Sequence, residues 1–373
     1  MKFSEITGQK NVKKALIFSK KENRIPHALL FVGPEGTGKL GLALAFSQYI
    51  NCEDPQGDDS CGRCSSCLKY QKLIHPDLHF VFPLMKTDET TLVCNEFLSQ
   101  WRQMVLANAY FTPLQWYAFI GRENKQGVIY AEEANEIIKK LNFKTFEADY
   151  KCMIIWLPEK MNISAANKLL KILEEPPDKT VFILIAEEPE LILPTLLSRC
   201  QIVKIPPIKD SDLYETLQNQ SDLPEHDIKN AVLLAEGNMI KATAILESNG
   251  DNQQFLDNFK MIMRAAYTFN VIEIIKLTEE TAKLSKEKQK DYLMFMLKVI
   301  RDNFLICEGA GSKVVSRPEE VEFNSKFHPY INQRNVFTIV SEIEKAHFHL
   351  ERNGNAKIIF LDMMLSIARV IKS

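Results

Sequence analysis

The chain is expected to fold as an α/β protein, with a parallel-sheet domain built on a phosphate-binding loop and two all-helical domains after it. Three observations carry that expectation. The segment Gly33 to Leu40, GPEGTGKL, sits between an apolar run and a helical pattern. Strand and helix patterns alternate from Cys152 to Lys204, as they do where helices cover a parallel sheet. After Pro206-Pro207 no convincing strand pattern remains.

Taking the elements in order, Ala28-Leu29-Leu30-Phe31-Val32 reads as a buried strand and Gly41 to Ile50 as a helix, the context that a phosphate loop requires. In the pattern G-x-x-x-x-G-K-[ST], glycines let backbone N–H groups approach phosphates, the lysine neutralises their charge, and the final hydroxyl holds magnesium. Gly33, Gly36, Gly38 and Lys39 are therefore candidates for holding a phosphate. Leu40 stands where the hydroxyl belongs and cannot coordinate magnesium.

Next come Cys52, Cys61, Cys64 and Cys67, spaced C-x8-C-x2-C-x2-C. The short spacings let sulfurs converge on one tetrahedral ion, and Gly57 and Gly62 permit the turns between them. Structural zinc is the leading reading, since four thiolates leave no open position for water. An iron–sulfur cluster and four unrelated thiols are the alternatives. Cys94, Cys152, Cys200 and Cys307 are scattered and read as packed or incidental.

The stretch from Leu84 to Gly127 is rich in aromatics, among them Trp101, Tyr110, Phe111, Trp116, Tyr117 and Phe119, with few cations between them. That favours a packed insertion over a base-stacking surface. Further on, the pattern gives a strand at Cys152 to Trp156, a helix at Ser164 to Leu173 and a strand at Thr180 to Ala186. A helix at Ile192 to Arg199 and a strand at Ile202 to Ile205 follow. Residues 208 to about 248 read as a small helical domain ending near the turn Asn249-Gly250, and the remainder as helical throughout. The resulting division is 1–206, 207–250 and 251–373.

Composition limits the partners. With 373 residues, 46% of them hydrophobic, the chain can bury more than one core, and a net charge of -2 argues against a strongly basic nucleic-acid-binding surface. No signal-peptide core or membrane-spanning run is present, so the expected location is the cytoplasm, where cysteines serve as thiols or metal ligands rather than disulfides. The lysine-rich stretch Lys283 to Lys290 reads as a solvated face.

Several blocks then point together. They are Ile6-Thr7-Gly8-Gln9, Arg24-Ile25-Pro26-His27-Ala28, GPEGTGKL, the four cysteines, His75-Pro76-Asp77, AANKLLKILEEPP from Ala165 to Pro177, and LPTLLSRCQ from Leu193 to Gln201. With these blocks the chain resembles the clamp-loader branch of the AAA+ proteins, and within it the delta-prime family of bacterial DNA polymerase III. Asn353-Gly354-Asn355 gives a looser match in the helical region that follows.

The resemblance implies an AAA+ nucleotide-binding-type domain, a helical lid and a helical collar that assembles with other subunits. It also implies that active relatives carry paired acids where this chain has Trp156 and Leu157, and an arginine where it has Ile240, next to Lys241. Glu159 falls two or three positions late for a catalytic acid. Losses at Leu40, at Trp156-Leu157 and at Ile240 all point to a subunit that can bind ATP at most and does not hydrolyse it, because metal ligands and charge neutralisation supply most of phosphoryl-transfer catalysis.

The same resemblance makes Arg199 an arginine finger acting in trans on a neighbour's ATP, against the plainer reading of a helix-capping or ion-paired arginine. The implied partners are gamma/tau-type ATPases, the delta subunit, the sliding clamp and, through the assembly, primed DNA, with no membrane. The role is that of a stator within the DNA polymerase III holoenzyme, a nucleotidyltransferase. The competing reading is a working motor ATPase of the same loader, with Glu159 replacing the missing acids.

Overall fold

The computed structural model describes residues 1–85, 93–121, 127–142, 145–221, 223–311, 314, 318–352 and 354–372. Part of the 84–127 insertion, residues 86–92 and 122–126, and Asn353 lie outside the described residues. Two compact units emerge. One comprises Met1–Leu223 with Ala231–Thr243, and the other Pro224–Asn230 with Ala244–Ser373.

The first unit is organised by five parallel strands, β1 (Ala28–Val32), β2 (Leu78–Val81), β3 (Lys151–Trp156), β4 (Thr180–Ala186) and β5 (Gln201–Lys204), in the order β2-β3-β4-β1-β5. Strands β3 and β4 are buried at every residue, as continuous apolar runs are when both faces of a parallel sheet are covered. Strand β5 forms one edge and is mostly exposed. Together with the glycine-rich loop after β1, this is a parallel sheet carrying a phosphate-loop connection.

Helices α1 (Lys10–Lys21), α2 (Lys39–Ile50), α3 (Ser65–Gln71), α4 (Leu98–Ala107), α5 (Pro113–Phe119), α6 (Ala131–Asn142), α7 (Ile163–Glu174), α8 (Pro194–Leu197) and α9 (Asp210–Gln220) complete most of this unit. Every residue of α2 is buried, so the helix that opens at the phosphate loop is held on all sides by packing. The His75-Pro76-Asp77 block is structural. Asp77 accepts backbone N–H bonds from Phe146, Glu147 and Ala148 at 2.8, 3.0 and 3.0 Å, and its own carbonyl accepts from Cys152 N at 2.8 Å, which aligns β2 with β3.

Among the described residues of the insertion most of the aromatics are packed, as its composition suggested, while Phe119 is exposed. Trp101 and Trp116 are fully buried, Trp101 stacks on Phe82 at 4.3 Å, and both Trp101 and Phe111 lie against Trp156 at 5.3 and 5.2 Å. Trp156, at the end of β3, is thereby committed to the core.

Helices α10 (Glu225–Ala235) and α11 (Met239–Thr268) contribute residues to both units. The turn expected at Asn249-Gly250 is absent, because α11 runs through it without interruption. A glycine inside a helix costs about 1 kcal/mol, and the later part of α11 buries Phe255, Leu256, Phe259, Ile262 and Met263, which outweighs that cost.

The second unit is helical among its described residues, with α12 (Val271–Thr281), α13 (Lys286–Cys307), α14 (Pro318–Phe327), α15 (Val336–Glu351) and α16 (Ala356–Val370). Its core joins α11, α13, α15 and α16 through Phe259, Met296, Ile339, Ile343 and Phe360. One polar group sits awkwardly there. Burial pushes the Asp302 carboxyl up to about 6, with Lys298 opposing the shift.

The folded state therefore binds that proton more tightly than the unfolded chain, and stability falls as pH rises from about 4 to about 6. Asp302→Asn should stabilise the unit at pH 7 to 8 by about 1 kcal/mol once solvent screening is allowed for, and should flatten the fall between pH 4 and 6. Denaturant titrations across that pH range check this. An unchanged or lower midpoint at pH 8 would contradict it.

Candidate functional site

The phosphate loop lies between β1 and α2, at the carboxyl edge of the sheet where open α/β folds place their ligands. Gly33 packs against the Ile205 carbonyl, which a β-carbon would meet at 2.1 Å. Gly36 and Gly38 both have positive φ, 71° and 85°, conformations that glycine adopts without strain. Beside them stand two groups that the loop pattern did not foretell. A β-carbon on Gly36 would lie 1.8 Å from Asn238 Oδ1, and one on Gly38 would lie 3.1 Å from the Tyr110 hydroxyl.

Asn238 and its neighbours bind the loop from the α10–α11 connection. Met239 N donates to Gly36 O at 3.0 Å, and Lys241 N donates back to Asn238 Oδ1 at 3.1 Å. On the other side, Gln9 Nε2 donates to Thr37 O at 3.2 Å and to Pro206 O at 2.7 Å. The loop is thus fastened by backbone and amide groups of its own unit.

Lys39 is turned inward. Its ammonium donates to Gly33 O at 2.7 Å and Pro34 O at 2.6 Å and lies 3.6 Å from Glu187 Oε1, with only 4% of the side chain exposed. Burial draws the ammonium below its usual range while Glu187 pulls it back, and burial raises Glu187 while Lys39 lowers it. Each group thus offsets part of the other's desolvation.

The space where phosphates would sit is nearly filled. A cavity of about 20 Å³ remains, lined by the loop, Tyr110, Phe111, Trp156, Glu187 and Ile240. That is room for about one water, whereas ligand sites run to several hundred Å³.

Leu157 takes a left-handed conformation, φ 58°, where β3 ends, and Glu159 follows in the turn Pro158–Lys160. Glu159 Oε1 accepts N–H bonds from Glu187 at 2.8 Å and Glu188 at 3.3 Å, so the carboxylate braces the loop after β4. Leu40 is buried in α2. The residues singled out from the sequence do converge here, around a site closed on itself.

A second cluster lies in the excursion after α2. The sulfurs of Cys52, Cys61, Cys64 and Cys67 all fall within 4.8 Å of one another, with Cys61 and Cys67 at 3.9 Å. Four thiolates bound at about 2.3 Å to a tetrahedral ion would stand about 3.8 Å apart, so the donor set fits such an ion and could hold a metal. Backbone N–H groups already point at the sulfurs: Cys61 N to Cys52 Sγ at 3.2 Å, Cys64 N to Cys61 Sγ at 3.3 Å and Cys67 N to Cys64 Sγ at 3.4 Å. Burial works against the Cys61 thiolate, but donors from Arg63 and Cys64 outweigh it and bring that thiol down to about 6, whereas burial pushes Cys67 up.

Arg199 stands apart from both clusters, just beyond α8. One guanidinium nitrogen donates to Thr195 O at 2.7 Å and another pairs with Glu174 Oε1 at 2.5 Å, leaving the side chain 33% exposed. Helix α8 covers only Pro194–Leu197, shorter than the expected Ile192 to Arg199, because Pro194 starts it at its first turn.

Comparison with known proteins places this geometry. The profile of the family described as "DNA polymerase III, delta subunit" matches residues 8–209. The chain belongs to this family of clamp-loader subunits.

The delta-prime subunit of DNA polymerase III from Bacillus subtilis (strain 168) is 30% identical over 216 residues, covering 58% of this chain and 53% of that protein. Its counterpart from Escherichia coli (strain K12) is 28% identical over 241 residues, covering 64% of this chain and 59% of its own length. The tau subunit of B. subtilis is 23% identical over 382 residues, covering 96% of this chain and 60% of its own. The chain thus spans between about half and three fifths of the length of these curated relatives.

Within this family setting the residues that sequence reasoning missed are Glu187, Asn238 and Glu174. Glu187 carried a readable signal, since it directly follows β4 at the carboxyl edge of the sheet. Asn238 and Glu174 carried none on their own, as their partners are remote in sequence.

Proposed function

We propose that this chain is a non-hydrolysing stator of a DNA polymerase III clamp loader, helping to place a sliding clamp on primed DNA while gamma/tau-type subunits use the ATP and delta completes the assembly. The observation that carries the proposal is the closed phosphate loop. Lys39 is engaged by its own loop and by Glu187, the position after it is a leucine, and β3 ends in Trp156 and Leu157 rather than in acids. A magnesium–nucleotide complex would find neither a hydroxyl directly after the lysine nor paired acids at the end of β3.

The motor reading is weaker, because Glu159 is held by two backbone N–H groups and serves the loop after β4. In the stator reading, residues 207–250 act as a lid and 251–373 as a collar. The second unit exposes Phe269, Ile272, Ile275 and Phe337, with Ile272 83% exposed, which suits helices that meet other subunits. Zinc is the metal proposed for the four cysteines, in a structural role, and Arg199 is the residue proposed to reach a neighbour's ATP.

A loader reconstituted from all its subunits tests the stator. Lys39→Ala in this chain should support clamp loading within about twofold of wild type, since the lysine serves the loop and not a nucleotide. Loss of loading, with assembly intact, would favour the motor.

A further inference from the structure

The second unit carries a pocket of about 430 Å³ between α11 and the α14 region, lined by cations and rings. On α11, Lys260, Met263, Arg264 and Tyr267 share one face at helical spacing. Opposite them Phe323 stacks on Phe327 at 4.9 Å, Phe327 neighbours Tyr330 at 6.3 Å, and Tyr330 meets Tyr267 edge-on at 5.1 Å. The rings form one continuous belt, and Tyr267 and Tyr330 at its outer end are each 41% exposed.

Cations line the same pocket. Lys260, 5.9 Å from the centre of the Phe323 ring, Arg264 and Lys326 belong to the lining, and Lys372 stands beside it, 5.1 Å from the centre of the Tyr267 ring. Two acids temper this charge, Asp257 near Lys260 at 3.4 Å and Glu322 paired with Lys326 at 2.9 Å, so the balance stays positive in a chain whose overall charge is -2.

We propose that this pocket binds single-stranded nucleic acid, with a base on the Tyr267–Tyr330 end of the belt and its phosphates against Lys260, Arg264 and Lys372. Flat exposed rings beside cations are what strand-tracking sites use, since every base offers a face to stack and every nucleotide a charge to neutralise. The volume suits one nucleotide. An acidic peptide would use the cations and leave the ring belt without a flat partner. The site lies wholly within the second unit, so the inference does not depend on the phosphate loop or on the stator reading.

Fluorescence anisotropy of the full-length chain with labelled oligo-dT of twenty nucleotides, at low ionic strength, tests it. Binding should weaken by about tenfold in Tyr267→Ala/Tyr330→Ala and by a similar factor in Arg264→Ala, and should fall steeply with salt. Crosslinking of a bromodeoxyuridine-substituted oligonucleotide, mapped by mass spectrometry, keeps the test open should the double variant misfold, and should mark Tyr267 or Tyr330. No binding by wild type, full binding by well-folded variants, crosslinks only elsewhere, or capture of polyglutamate or free nucleotide instead of the oligonucleotide would each overturn the proposal.

Discussion

Replacing Arg199 with alanine is expected to lower ATP hydrolysis at the adjoining active site of the assembled loader by roughly three to five orders of magnitude, with folding, metal content and assembly unchanged. The folding part follows from its surroundings. Arg199 gives up one exposed ion pair with Glu174 and a bond to the Thr195 carbonyl, and exposed pairs of this kind contribute about 1 kcal/mol or less. To act on a neighbour the guanidinium must leave Glu174, a cost of that same small size. A finger supplies about 4 to 7 kcal/mol in the transition state, so the ion pair does not prevent it from working.

Lysine should rescue poorly, because it brings a point charge in place of a planar fork. The assay must resolve the site that faces this subunit, since the other sites keep their own machinery. An unchanged rate there, with assembly verified, would leave Arg199 as a surface arginine paired with Glu174.

Loss of the bound metal is the second large effect. The purified chain should carry one zinc, and Cys67→Ser should abolish it, because Cys67 is buried and its sulfur is 3.9 Å from that of Cys61. Metal binding at such sites contributes directly to folding, so the melting temperature should fall by more than about 5 °C while clamp-loading chemistry persists at permissive temperature. Acid should also release the metal, since the thiolates must shed protons to bind it and regain them as pH falls. Elemental analysis alongside calorimetry checks this. Metal-free protein of undiminished stability would contradict it, and iron with visible absorbance would point to a cluster.

Much of the first unit could be read from the residues. Ala28–Val32 and Val181–Ala186 are unbroken apolar runs, and a parallel sheet buried on both faces needs such runs, so both strands lie where the pattern put them. The helix around Leu169 and Leu173 was legible for the matching reason, an apolar stripe stopped by prolines. Leu78–Val81 is not legible as a strand, because four residues, one of them His79, show no clear period.

At Asn249-Gly250 a local turn signal lost to burial elsewhere on α11. The candidate site was legible as a list of residues and not as a state. The sequence shows that Lys39 is present and that Leu40 replaces a hydroxyl. That Tyr110 lies against Gly38, Asn238 against Gly36 and Glu187 near Lys39 depends on contacts between segments far apart in the chain, where no periodicity speaks.

The central claim is that this subunit does not turn over ATP, and steady-state hydrolysis by the purified full-length chain measures it directly, alone and with Lys39→Ala as its control. The account predicts background turnover from both proteins, with hydrolysis appearing only when the ATPase subunits are added. Steady turnover by the isolated wild-type chain that Lys39→Ala abolishes would contradict it.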